Sequence, residues 1–329
     1  MWTVYGLEAP IADEAKRVLS EAKSRGIVLR LFGGVAIKYH CPSASHRELQ
    51  RNYPDLDFFG TKRQGRMIRK LLVDLGYQPN QRFNALHGET RLIYDDTVNG
   101  RSVDVFLETF KMCHNLPIGK RLTIDEFTIS ITDLLLTKLQ IVETNEKDIR
   151  DLTAILRDHE VGNTVTPSER EVIDAGHIVS LCSNDWGLQK TITITLKKIP
   201  TYLSRYGLDP SSQHLVEARI EKLLGELDKA PKSLKWRLRD SIGEKKRWYE
   251  LLRSPSGPLD MGYSVNGFPS VKTLCGTLFF HFSSQESSGL DSRRSSGKSW
   301  GISSIMGYHR PHFEQTSIPS TISSFSSNT

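Results

Sequence analysis

Along residues 11–25, apolar side chains recur three and four positions apart: Ala12, Ala15, Val18, Leu19 and Ala22. That spacing predicts an amphipathic helix, which Gly26 ends. Residues 27–32 are a mostly apolar, β-branched run of strand length, followed at once by Gly33-Gly34 and a short predicted helix over 35–41. Residues 55–59 predict a second strand. Alternation there puts Asp55 and Asp57 on one face, with Leu56 and Phe58 turned to the core. A helix over 62–75 follows, with Met67, Ile68, Leu71, Leu72 and Leu75 on one side, stopped by Gly76. Residues 91–95 and 102–107 read as two antiparallel strands, because Asn99-Gly100 between them is a strong hairpin signal. Asn84 and Arg91, just upstream, are assigned to supporting that hairpin rather than to contacting a base or acceptor.

The pattern then turns helical. Residues 131–142 predict a helix with an apolar face, and Asn145 is placed to cap another over 146–159. Further helices are predicted over 168–182, 186–206, 212–227 and 232–252. The β-branched run Thr191-Ile192-Thr193-Ile194-Thr195 makes strand a competing assignment there. The helix over 232–252 is basic, with Trp236 and Trp248 interleaved. It either tracks a nucleic-acid backbone or is a solvated face with both tryptophans packed inward. After Arg253 the chain becomes serine-rich, with scattered Gly and Pro and one apolar island over 274–282. The expected organisation is an α/β domain over 1–160 with a mixed sheet flanked by helices, an α-helical domain over 161–253, and a disordered tail over 254–329.

Composition narrows the class. The 329 residues suffice for about two domains. A net charge of +6 favours a polyanionic partner such as RNA. Cys41, Cys113, Cys182 and Cys275 lie far apart and form no C-x-x-C pair, so they read as free thiols in a reducing compartment. No apolar run approaches the roughly 18–20 residues of a membrane span, and residues 1–5 lack a basic and apolar leader. The expectation is a cytoplasmic protein without a membrane partner.

The candidate chemistry lies in the first half. Two glycines after a strand let a ligand approach the backbone, and their N–H groups can face an anion at a helix start. Two carboxylates on one strand face, Asp55 and Asp57, repel each other unless a cation sits between them. Mg²⁺ is such a cation, bound through one or two carboxylates plus substrate phosphates. Lys138 projects from the middle of an apolar helix face. It must snorkel to solvent, pair with an anion or lose its charge, so it either reaches a phosphate at a cleft edge or pairs with a structural carboxylate. Asp148, three residues after Asn145, suits a helix start, whereas Asp151 has less evident structural work.

Gly33-Gly34, then Asp55-x-Asp57, then a lone strand aspartate, Asp104 in Ser102-Val103-Asp104-Val105-Phe106, resembles the polymerase-β-like nucleotidyltransferase superfamily. Arg51, four residues before Asp55, is similar to the R-x-T-x-D-x-D form of its minimal and abortive-infection-toxin-like (AbiEii-type) branches, with Tyr53 in place of the Thr. Asp133 to Lys138 and Lys147 to Leu152 resemble the Lys/Asp motif of the same toxins. The resemblance covers residues 25–250. It implies a nucleotidyltransferase fold in which Asp55, Asp57 and Asp104 hold two metal ions, Mg²⁺ or Mn²⁺. It also implies an NTP whose triphosphate meets Gly33, Gly34, Arg51 and Lys138. One of Asp148 and Asp151 belongs to the active site; the expectation adopted is Asp151. The acceptor stays open among tRNA, a protein side chain and a small molecule. An antitoxin partner is one implied setting, and a non-catalytic nucleotide- or RNA-binding module is the alternative to an enzyme.

Overall fold

In a computed structural model of the chain, the residues described are 10–162 and 171–251. The Ser-rich tail and the island over 274–282 lie outside them.

The first half builds a mixed α/β layer. Helix α1 (Ile11–Ser24) leads into β1 (Leu29–Phe32), α2 (Gly33–His40) and β2 (Leu56–Gly60). Helix α3 (Gly65–Asp74), the short strand β3 (Gln78–Pro79) and α4 (Gln81–His87) precede the hairpin of β4 (Arg91–Asp96) and β5 (Arg101–Leu107). The five strands form one sheet in the order β1-β2-β5-β4-β3. Strands β2 and β5 run parallel, and every other neighbouring pair in this sheet is antiparallel. The mixed sheet flanked by helices is the one the patterning predicts.

The central strands explain their own apolar runs. Leu56, Phe58 and Phe59 are wholly buried, so both faces of β2 are covered. Each such side chain contributes about 1.5–3 kcal/mol of burial. Phe32 meets Phe59, Phe106 and Phe110 edge to face, at centroid separations of 5.9, 5.6 and 5.6 Å. This aromatic knot fixes the end of β1, where α2 begins.

The remaining elements extend this core. After the small strands β6 (Phe110–Lys111) and β7 (Asn115–Leu116) come α5 (Ile131–Leu139) and α6 (Glu146–Asp158). Strands β8 (Val161–Gly162) and β9 (Ile173–Asp174) pair in parallel ahead of α7 (Ala175–Asn184) and α8 (Trp186–Lys198). Helices α9 (Pro200–Tyr206), α10 (Pro210–Lys229) and α11 (Leu234–Ile242) complete the described chain. The described residues belong to one compact unit, and a single buried cluster runs from Ala15 to Leu227 across the boundary expected at residue 160. No helix among them is long and apolar enough to cross a membrane.

Several local differences have clear causes. Helix α2 starts at Gly33 itself, so the glycine pair is its first turn. The hairpin loop is Thr97–Gly100, not Asn99-Gly100 alone, since Asp96 pairs with Arg101. The Asp96 carboxylate accepts from the Val98 and Asn99 backbone N–H groups at 3.2 and 3.1 Å, which closes the longer turn, and Gly100 takes the left-handed conformation. The helix over 186–206 breaks at Pro200, which opens α9. The Thr191–Thr195 run is helical, as expected for 186–206 and against the competing strand assignment, with Thr191, Ile192 and Thr195 buried against neighbouring helices. The helix over 232–252 ends at Gly243, whose φ is +59°. Trp236 and Trp248 turn inward: their indole N–H groups donate to Gln189 Oε1 and Thr191 Oγ1 at 3.0 Å each. Helix α4 went unread in the sequence, although Asn80 caps it by accepting from the Phe83 N–H.

Candidate active site

Strand register brings the expected carboxylates together. In the β2–β5 pair Asp57 stands opposite Asp104, and in the β1–β2 pair it stands opposite Phe32, the residue before Gly33. Asp55 immediately precedes β2. A cleft opens here, lined by Gly33, Asp57, Asp104, Arg91, Lys138 and Asp148 among others.

The carboxylates are electrostatically crowded. Burial pushes the Asp57 carboxyl from 3.8 up to about 7, and the charges of Asp104 and Asp55 add to the effect. Burial likewise pushes Asp55 up to about 6, against the nearby Lys147 and with Asp104 raising it further. Both Asp55 side-chain oxygens are buried without a hydrogen-bond partner. A buried, unsatisfied carboxylate is costly, and a cation is the partner that repairs it. Asp55 and Asp57 thus fit a divalent ion by their chemistry. Asp104 differs: the Arg91 Nε donates to its two oxygens at 2.9 and 3.0 Å, and Arg91 Nη2 also donates to Oδ2. Among the described residues, no group of three or more His, Cys, Asp or Glu side chains is arranged to hold a metal ion.

Gly33 is required by close approach. Its φ is +70°, and a Cβ there would run into the Asp57 carboxylate. Gly34 serves a different neighbour: a Cβ would strike the Arg51 guanidinium and the Tyr53 ring. Phe32, at the start of α2, supplies no capping side chain, so the first-turn N–H groups of this helix have no side-chain cap where Gly33 borders the cleft.

Across the cleft, Lys138 pairs with both candidate carboxylates on α6. Its Nζ lies 2.9 Å from Asp148 Oδ1 and 3.0 Å from Asp151 Oδ2. Burial alone would push the ammonium down, but these two carboxylates hold it above its ordinary range. Asp148 also performs the cap expected of it, in a reciprocal capping box with Asn145. Asp151 carries a second cation: Arg51 Nε and Nη2 donate to its two oxygens at 2.7 Å each. Arg51 also stacks 4.2 Å from the Tyr53 ring centroid. Asp148 lines the cleft beside Lys138, whereas Arg51 lines a separate pocket with Lys38, Gln50 and Tyr53. The structure therefore brings Gly33, Asp57, Asp104 and Lys138 to one cleft and gives Arg51 to Asp151.

Asn84 and Arg91 both support the hairpin: the Asn84 side chain donates to the Ile93 carbonyl at 2.9 Å and accepts from the Ile93 N–H at 2.8 Å, and Arg91 on β4 forks Asp104 on β5. What sequence reasoning missed is that the Arg91 partner is a candidate site carboxylate. The available signal was the alternation along β4 and β5, which puts Arg91 and Asp104 on one sheet face. Its use required the register that the four-residue loop decides.

Compared with known proteins, the chain matches no family model, and a search of curated proteins finds no match.

Proposed function

We propose that this chain is a divalent-metal-dependent nucleotidyltransferase, moving a nucleoside monophosphate from an NTP to an acceptor hydroxyl with release of pyrophosphate. One observation carries the reading: Asp57 and Asp104 lie side by side in register and line one cleft with Gly33 at the start of α2 and Lys138, while Asp55, two residues before Asp57, is buried without a hydrogen-bond partner. Crowded carboxylates that resist ionisation mark a site built for a cation rather than for stability. Asp55 and Asp57 hold the ion. When bound, it supplies charge neutralisation on the polyphosphate and lowers the pKa of an oxygen it contacts.

The chain's own groups do the rest. The first-turn N–H groups of α2 and its positive dipole end orient the phosphates. Lys138, kept charged by Asp148 and Asp151, presents a fixed positive charge to the leaving pyrophosphate. Arg51 acts from behind: its fork on Asp151 keeps that carboxylate aimed at Lys138. Asp104 lines the same cleft, held by Arg91.

The test is incubation with each of the four NTPs, labelled at the α-phosphate, with Mg²⁺ or Mn²⁺ and total cellular RNA or lysate. Label is expected to pass to an acceptor in wild type and not in Asp57→Asn. Absence of transfer from all four nucleotides, with the fold intact, overturns the proposal. Saturable NTP binding without transfer would instead identify a non-catalytic binding module.

A further inference from the structure

We infer that Arg91 takes the place of a second cation at Asp104, so that the nucleotide-free site accepts one divalent ion, held by Asp55 and Asp57. This rests on the assignment of those two carboxylates under the proposed function, and it departs from the two ions that the sequence resemblance implies.

The Arg91 guanidinium faces both Asp104 oxygens, the fork geometry in which arginine replaces a chelated ion. Its seat does not depend on Asp104 alone. Arg91 is the register partner of Phe106, two residues along β5 from Asp104 and on the same face. Its guanidinium carbon lies 4.7 Å from the Phe106 ring centroid and 5.7 Å from that of Phe83 on α4. Stacking of this kind suits the weakly hydrated guanidinium and holds its plane toward the carboxylate. An ion seated on Asp104 would have to share the carboxylate with the fork or drive Arg91 from between two aromatic rings.

Charge counting points the same way. Asp55, Asp57 and Asp104 carry three negative charges when ionised, and Arg91 cancels one. Lys138 lies nearby but is balanced by Asp148 and Asp151. Lys147 stands near Asp55 as well, so the negative charge left on the three carboxylates does not exceed that of one divalent ion. It is also located: Asp55 has two side-chain oxygens without a hydrogen-bond partner, and Asp57, two residues on, lines the cleft beside Asp104. Arg91 is thus a positioning residue. It fixes the Asp104 side chain and sets the number of ions.

The experiment is a Mn²⁺ titration of the full chain without nucleotide or acceptor, with free Mn²⁺ followed by electron paramagnetic resonance. Wild type is expected to bind one ion per chain, and Asp57→Asn to lower that affinity at least about tenfold. Arg91→Met is expected to bind two ions, or to tighten the first at least about tenfold. Arg91→Lys keeps the charge and stays at one ion. Two ions or none in wild type overturns the inference without any variant, as does an Arg91→Met protein that folds by circular dichroism and titrates like wild type. If one Asp57-dependent ion binds but no NTP is turned over, the proposed function fails while this inference stands.

Discussion

Two buried charge clusters face each other across the cleft, and they are built on opposite principles. On the helical side, Lys138 and Arg51 are matched by Asp148 and Asp151, with paired contacts between 2.7 and 3.0 Å. On the sheet side, only Asp104 has an ion-pair partner, Arg91, and the Asp55 oxygens have no hydrogen-bond partner. A balanced cluster holds its members in one geometry; an unbalanced one is strained until a ligand arrives. On the proposed reading, the sheet side is where a cation binds, and the helical side holds Lys138 at the cleft.

The sharpest way to break this contrast is Asp57→Asn. Nucleotidyl transfer is expected to fall by on the order of a thousandfold or more, since ion binding and charge stabilisation go together. The variant should be at least as stable as wild type in urea without metal, because one of three crowded charges is gone. A variant that keeps activity, or unfolds, would place Asp57 among structural residues.

Asp151→Ala tests the balanced side. It leaves Arg51 and half of Lys138's pairing unmatched in a buried setting, and about 3–5 kcal/mol of stability is expected to go. An unchanged urea midpoint would show that the cluster is hydrated and contributes no rigidity.

Lys138→Met separates aiming from holding. Asp151 keeps Arg51 and Asp148 keeps its capping hydrogen bonds, so the stability loss is expected to be smaller, about 1–2 kcal/mol. Transfer is nevertheless expected to fall on the order of a hundredfold. Lys138→Arg should restore it only in part, since a planar fork does not fit a seat shaped for a point charge. Normal turnover in the folded Met variant would remove Lys138 from the reaction.

The smallest effect is a pH signature. Asp55 and Asp57 titrate in the folded chain at about 6 and 7, above their ordinary 3.8. Over that window the folded state binds protons that the unfolded chain does not, so their contribution makes the metal-free protein more stable as pH falls from 8 toward 5. The melting temperature of wild type minus that of Asp57→Asn should therefore rise by a few degrees on acidification, and excess Mg²⁺ should flatten the difference. A difference independent of pH would mean that the carboxylates are not crowded.

Legibility differed between the two clusters for a physical reason. The carboxylates of the sheet side were visible because strand alternation is local: Asp55-x-Asp57 and the lone Asp104 needed only a period of two. The oddity of Lys138 was equally visible from its apolar neighbours, and the structure shows the anions that resolve it. The choice between Asp148 and Asp151 was invisible because it was no choice: Lys138 reaches both. Arg51 was read toward the triphosphate, but its partner lies 100 residues along the chain, on α6. Arg91 does brace its hairpin, but that it does so through Asp104 was not legible, because the loop length, and hence the register, depends on the Asp96 carboxylate capping the turn.

What the sequence determined by itself are the elements whose cause is short-range. These are the β1–Gly33 junction, the alternation of β2 and β5, the Asn145 cap, and most of the helices of the second half. The tertiary structure decided whatever required burial or pairing at a distance. Thr191 to Thr195 became helix because packing outweighs β-branched propensity, worth at most about 1 kcal/mol. Gly34 became a seat for Arg51 and Tyr53. The apolar core ran on past residue 160 because α10 packs on α6, α7 and α8. Asp104 received Arg91 through strand register. Local pattern fixes which side chains share a face; which charges then meet is a property of the closed fold, where a low-dielectric surrounding makes each pairing strong and each omission costly.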